Sequence, residues 1–157
     1  MTTIELVKKY SEEYKIESRL LYSIISTESN FNPNAVRYEI DYRWFYKLDE
    51  CKKMVGCTTN TMRMIQQTSW GYTQIMGAIY YELGGKGWAT TLLDPEINLK
   101  YCCEYLKKII TKKYLTTAEE IYIVYNAGSI RKTIDGKLVN QDNVDRFMSI
   151  YNRASSI

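Results

Sequence analysis

The chain has 157 residues, 45% of them hydrophobic and 25% charged, proportions that fit one domain with its own core and argue against extended disorder. Its net charge of +3 is too mild for a committed nucleic-acid binder, though it suits loose attraction to an anionic polymer. Four cysteines and no histidine exclude Ser-His-Asp and Cys-His catalytic sets.

Cys51 and Cys57 are six apart and Cys102 and Cys103 are adjacent, which matches no zinc pattern. No metal or cofactor is therefore expected, and the thiols are expected to be free, in a reducing compartment. No run of 18 apolar residues is present, so no membrane insertion is expected. The N-terminal "MTTIELVKKYSEEYK" carries Glu5, Glu12 and Glu13 and does not read as a secretory signal. The expectation is a protein made in the cytoplasm without a signal peptide.

The elements read as helical nearly throughout. Residues 3–14 form a first helix and 17–30 a second, in which Leu20, Leu21, Ile24 and Ile25 recur at the spacing of one buried face. Residues 37–68 mix aromatics, charges and turn formers. They read as a long insertion with a short helix near 47–54, and such insertions are more often functional than decorative. A helix is expected over 71–83, stopped by "GGKG" at 84–87. In "LLDPEINLKYCCEYLKKIITKKY", Asp94 is placed as N-cap and Pro95 at the first helical position. Cys102 and Cys103 sit on that helix's core face as small hydrophobes. Thr117 and Glu120 form a capping box, and Gly128 ends that helix. "TIDGKLV" reads as a tight hairpin turned at Asp135-Gly136, and a last helix covers about 142–154. The fold class expected is a single mostly α domain, 1–157, with at most a small β-hairpin.

Glu28 stands out against this pattern. It lies four residues beyond Ile24 and three beyond Ile25, so it continues the apolar stripe just before the helix ends ahead of Pro33. A glutamate near a helix end is ordinarily solvated or salt-bridged. Here, desolvation and the negative end of the helix dipole both favour its protonated form. A carboxylic acid kept at a cleft edge is what acid-catalysed glycosidic cleavage requires.

Four segments in order carry a resemblance: "ESNFNPNAV" (28–36), "SWGYTQIMGAI" (69–79), "LLDPEINLKYCCEYL" (92–106) and "YNAGS" (125–129). Together they resemble the lytic transglycosylases of the soluble murein transglycosylase and goose-type lysozyme-like superfamily, over roughly residues 15–130. The insertion and the small size resemble the phage or prophage versions. The resemblance implies a lysozyme-like α domain with a substrate cleft. It implies cleavage of the β-1,4 bond between N-acetylmuramic acid and N-acetylglucosamine in peptidoglycan, leaving 1,6-anhydro ends. Glu28 matches the family's catalytic acid, and the substrate's own acetamido group takes the place of a second carboxylate. Gln74 matches a cleft-lining glutamine, with amide groups suited to acetamido and hydroxyl partners. Tyr125 and Asn126 match the family's Tyr-Asn pair. The tyrosine is expected to orient the acetamido group or the acid, and the asparagine to tie backbone together. Tyr72, Trp70, Trp44 and Tyr38 suit the apolar faces of sugar rings. The partners implied are peptidoglycan glycan strands, with no nucleic acid, and the chain is expected to work as a monomer on the bacterial wall.

The sequence departs from the family pattern at three places. The usual serine nine residues after the acid is Arg37, the usual Leu-Met before Gln74 is Tyr72-Thr73, and the insertion 37–68 is long. The expectation is that Arg37 and Glu39 fill the gap. Glu39 then serves as a second carboxylate near the cleft, with Arg37 as its partner or as a contact for substrate carboxylates. Two alternatives stay open: a hydrolytic muramidase that uses Glu39 to hold water, and a non-catalytic peptidoglycan-binding or virion structural protein.

Overall fold

The computed structural model describes residues 1–154. In chain order the helices are α1 (Thr3–Tyr14), α2 (Ser18–Ser29), α3 (Leu48–Val55), α4 (Thr59–Gln66), α5 (Gly77–Glu82), α6 (Pro95–Lys113), α7 (Ala118–Ala127) and α8 (Gln141–Arg153). The strands are β1 (Val36–Tyr38), β2 (Thr68–Trp70) and β3 (Ile75–Met76), and a 3₁₀ turn covers Ala89–Leu93. The fold is mostly α, as expected. No described helix is long and apolar enough to cross a membrane. The chain divides into two compact units: Met1–Asn30 with the chain from Cys103 onward, and Phe31–Cys102.

The first unit is helical. Its centre is α7, where the run Ile121, Tyr122, Ile123, Val124 and Tyr125 is buried throughout, as befits a helix apolar on all sides. Its start is fixed by the capping box: Thr117 Oγ1 accepts from the Glu120 N–H at 3.2 Å, and Glu120 Oε2 accepts from the Thr117 N–H at 3.2 Å. Gly128, at φ +74°, ends it and donates its N–H to the Val124 carbonyl. Phe147 of α8 stacks on Tyr122 with centroids 4.1 Å apart and planes 3° from parallel, an arrangement worth about 1 kcal/mol beyond area burial. Helices α2 and α8 pack together, and they run antiparallel. At the start of α2, Arg19 Nη2 donates to the Tyr151 hydroxyl near the end of α8 at 2.8 Å, and that hydroxyl donates to Glu17 Oε2 at 2.7 Å. The paired cysteines behave as small hydrophobes: Cys103, in this unit, and Cys102, the last residue of the second, are fully buried thiols.

The second unit is built on a three-stranded antiparallel sheet in the order β1-β2-β3, with Arg37 opposite Ser69 and Ser69 opposite Met76. The insertion is more regular than its composition suggests. Its expected short helix is α3, one residue later than placed, and it also contains α4, capped by Thr58, which accepts from the Thr61 N–H at 3.1 Å. The irregular loop 39–47 is held by two buried amides. Gln66 Oε1 accepts from the Tyr46 N–H at 2.8 Å while its Nε2 donates to the Tyr46 carbonyl at 2.7 Å. Gln67 Nε2 donates to the Tyr42 carbonyl at 3.0 Å, and its Oε1 accepts from the Tyr38 hydroxyl at 3.2 Å.

Two expectations need correction. The helix expected over 71–83 begins only at Gly77. Residues 71–74 form a tight turn in which Gly71 (φ +72°) and Gln74 (φ +53°) are left-handed. The Thr73 N–H donates to Oδ1 of the fully buried Asn98 at 3.0 Å. A Cβ on Gly71 would lie 2.3 Å from the Leu92 carbonyl oxygen, so the turn depends on glycine there. The hairpin expected at Asp135-Gly136 turns where placed, with Gly136 at φ +82°, but it pairs only through one bridge, Lys132 with Leu138. Residues 130–137 are all exposed, and a strand pair with nothing to bury against is not extended. The sheet of this protein lies elsewhere, in β1 to β3, and has one strand more than a hairpin.

Candidate active site

Glu28 sits in the last turn of α2, which closes at Asn30 with φ +50°. Ile24 and Ile25 on the same stripe are fully buried, whereas Glu28, one turn further, is half-buried. The negative helix end opposes its charge, and two side-chain donors support it. The Tyr122 hydroxyl donates to Glu28 Oε1 at 2.8 Å, and Asn126 Nδ2 donates to the same oxygen at 3.2 Å. Both donors come from α7 and stand four residues apart, so they share one helix face. Donors to an ionised carboxylate make the stronger class of hydrogen bond.

Tyr122 was not among the residues singled out from the sequence. Its ring is fully buried against Phe147, and a buried phenol needs a hydrogen-bond partner for its hydroxyl. Glu28 supplies it. The available signal was the spacing of four between Tyr122 and Asn126, which marks a polar edge on an otherwise apolar helix. Besides Glu28, the Asn126 side chain meets side chains of α8. Its Oδ1 accepts from Asn140 Nδ2 at 3.0 Å and from Asn143 Nδ2 at 3.3 Å, at the start of α8. Tyr125 is buried, with its ring centroid 5.6 Å from that of Tyr105.

The remaining candidates belong to the second unit. Both amide hydrogens of Gln74 go to backbone: Nε2 donates to the Gly71 carbonyl at 2.9 Å and to the Ala35 carbonyl at 3.1 Å. Its Oε1 lies 2.9 Å from the donating hydroxyl of Ser69, which is itself buried. These three bonds offset the left-handed backbone of a non-glycine residue, worth about 1 kcal/mol. Gln74 thus closes the turn that carries its own motif. Arg37 and Glu39 pair with each other, Arg37 Nε to Glu39 Oε1 at 2.5 Å, on an accessible edge. Tyr72 is buried. Of the aromatic candidates, Trp44 and Tyr38 are the exposed ones, at 68% and 49%. Trp44 is set edge-on against Tyr42 at 5.6 Å. Burial pushes the Tyr42 phenol up to about 12, helped by the charge of Glu82.

A half-buried carboxylate that accepts hydrogen bonds from Tyr122 and Asn126 is a group able to give and take a proton. The chain belongs to the transglycosylase SLT domain family, whose model matches residues 5–145. That membership gives it lytic transglycosylase activity on peptidoglycan in general terms. No curated protein and no solved structure matches the chain.

Proposed function

We propose that the protein cleaves the N-acetylmuramic acid–β-1,4–N-acetylglucosamine bond of peptidoglycan with Glu28 as the one acid and base, leaving 1,6-anhydro ends. The observation that carries this reading is the convergence of Tyr122 and Asn126 on Oε1 of a glutamate that ends an apolar stripe. With Oε1 facing two donors, the proton of the neutral acid is carried on Oε2. Glu28 gives that proton to the glycosidic oxygen as the bond from C1 breaks, and the neighbouring acetamido carbonyl stabilises the sugar cation. The resulting carboxylate takes the proton of the C6 hydroxyl as O6 bonds to C1. No water is consumed and Glu28 regains its proton, so one carboxylate completes the cycle, outside the two-carboxylate rule.

Around it, Tyr125 and Asn126 serve as the family's Tyr-Asn pair. In the second unit, Gln74 and Tyr72 of the turn at 71–74 are read as substrate-binding residues. Arg37, kept in place by Glu39, is offered to the lactyl and peptide carboxylates of the wall. The family match runs through both compact units, which supports reading them as one transglycosylase domain. Mass spectrometry of unreduced fragments released from purified peptidoglycan tests the proposal. The parent yields muramyl products lighter by one water than hydrolytic ones, and Glu28→Gln yields none. Full-mass reducing ends would replace this reaction with hydrolysis and direct attention to Glu39.

A further inference from the structure

Asn126 is the ambiguous member of the carboxylate's surroundings. A primary amide presents either a donor or an acceptor to its neighbour, according to which way it is turned. Turned as it is, Asn126 gives Nδ2 to Glu28 and Oδ1 to the start of α8. Turned over, it would face the carboxylate with an oxygen.

What sets the orientation is Asn140. This residue stands at the N-cap of α8, where an asparagine oxygen ordinarily accepts from a free N–H of the first turn. Asn140 makes no such cap bond. Its Nδ2 donates to Asn126 Oδ1 at 3.0 Å and reaches toward the Ile123 carbonyl at 3.5 Å, while its own Oδ1 is buried without a hydrogen-bond partner. A buried orphan acceptor is unfavourable and calls for an explanation. The alternative orientation would place that oxygen against two others, Asn126 Oδ1 and the Ile123 carbonyl. Asn143, one turn into α8, adds a second donor to Asn126 Oδ1 at 3.3 Å.

We propose that Asn140, supported by Asn143, is a positioning residue that locks the Asn126 amide with its nitrogen toward Glu28. The sacrifice of the α8 cap is the local consequence of that lock. The chain of amides has one direction, from α8 through Asn126 to Glu28 Oε1, and α8 lies antiparallel to α2 so that its first turn meets the end of α2. This inference rests on the reading of Glu28 as the catalytic acid.

The test compares Asn140→Asp with Asn140→Ala. Aspartate keeps the shape but replaces a donor by an acceptor, so it draws the Asn126 nitrogen away from Glu28. Alanine removes the donor and leaves Asn143 to hold the amide. Fragment release from purified peptidoglycan is expected to fall about tenfold in Asn140→Asp, the loss of one charge-assisted bond, and clearly less in Asn140→Ala. A packing role gives the opposite order, because aspartate is the better filler. An alanine variant as slow as the aspartate variant, or slower, would overturn the lock.

The side-chain amide resonances of Asn126 in ¹⁵N-labelled protein give an independent readout: they move in Asn140→Asp far more than in Asn140→Ala. If Glu28→Gln cleaves as fast as the parent, the reading of Glu28 fails. The lock then stands or falls on those resonances alone. Should Asn140→Asp not fold, Asn143→Asp makes the same exchange at an exposed position and is expected to slow release in the same direction. An unchanged rate with unmoved Asn126 resonances in that variant would overturn the proposal.

Discussion

Glu28 and the loop 39–47 are both held by side-chain amides, but the amides meet different partners. Around Glu28, Asn126 donates to a titratable oxygen beside the Tyr122 hydroxyl, and the Asn126 oxygen accepts in turn from Asn140 and Asn143 at the start of α8. Around the loop and the adjoining turn at 71–74, Gln66, Gln67, Gln74 and Asn98 converge on peptide groups. The second network gives irregular backbone a fixed shape and ends there. The first fixes the surroundings of one acid. Amides that satisfy backbone are a matter of stability, and amides that satisfy a carboxylate are a matter of chemistry, so substitutions in the two networks should separate along that line.

The largest expected effect is Glu28→Gln. The amide oxygen of glutamine still accepts from Tyr122 and Asn126, so the fold persists, while the transferable proton is gone. Fragment release should fall by about 10²- to 10⁴-fold, the usual contribution of a general acid, with a thermal midpoint close to the parent's. A variant that cleaves normally would remove Glu28 from the reaction and break the comparison at its root.

Next is Asn98→Leu in the other network. Asn98 is fully buried and accepts from the Thr73 N–H and hydroxyl while donating to the Trp70 and Leu92 carbonyls. Leucine fills the space and strands those groups, at a cost of about 3 to 5 kcal/mol in denaturant unfolding. A loss under 1 kcal/mol would mean that the turn at 71–74 does not depend on this amide.

How much of this was legible beforehand differs between the two regions for the same reason. The stripe Leu20, Leu21, Ile24, Ile25 and the caps at Asp94 and Thr117 are local signals, and the helices they mark formed where expected. Asp94 Oδ1 accepts from the Glu96 and Ile97 N–H groups. Glu28 was legible because it violates a local pattern. The turn at 71–74 was not, because it is held by a long-range partner, Asn98, which bonds to Thr73 and to the Trp70 carbonyl from 25 or more positions away. Helix α4 was missed because "TNTMRMIQ" buries only Met62 and Gln66, too little apolar periodicity to read. Tyr122 was hidden by its surroundings: amid Ile121, Ile123 and Val124 it reads as one more core residue, and its hydroxyl acquires meaning only when α2 arrives 94 positions away in sequence.

Tyr122→Phe probes that residue. The stack on Phe147 needs only the ring, so stability should change by no more than about 1 kcal/mol. Release should slow about tenfold through loss of a bond to Glu28 Oε1. An equal loss of stability and activity would assign Tyr122 to packing.

The smallest effect separates two glutamates of the same unit. Glu120, like Glu28, gathers several donors, but they are the N–H groups of Thr116 and Thr117 and the Thr116 hydroxyl. The backbone bond from Thr116 does most to hold its carboxyl below the ordinary value of 4.5, followed by that from Thr117. A folded-state value below the unfolded one makes the charged group stabilising above the unfolded value. That stability is lost as pH falls through the folded value. Glu120→Gln should therefore melt slightly below the parent at neutral pH, and the gap should close as pH falls below 4.5 and on through the lower folded-state value, beneath which the parent's carboxyl is protonated in both states. Because Glu120 serves as a cap at the start of α7, its replacement should leave fragment release unchanged. Thermal melts from neutral pH downward, beside release assays at neutral pH, give both readings. A loss of activity in Glu120→Gln without loss of stability would show that donors gathered on a glutamate do not by themselves distinguish a cap from an acid.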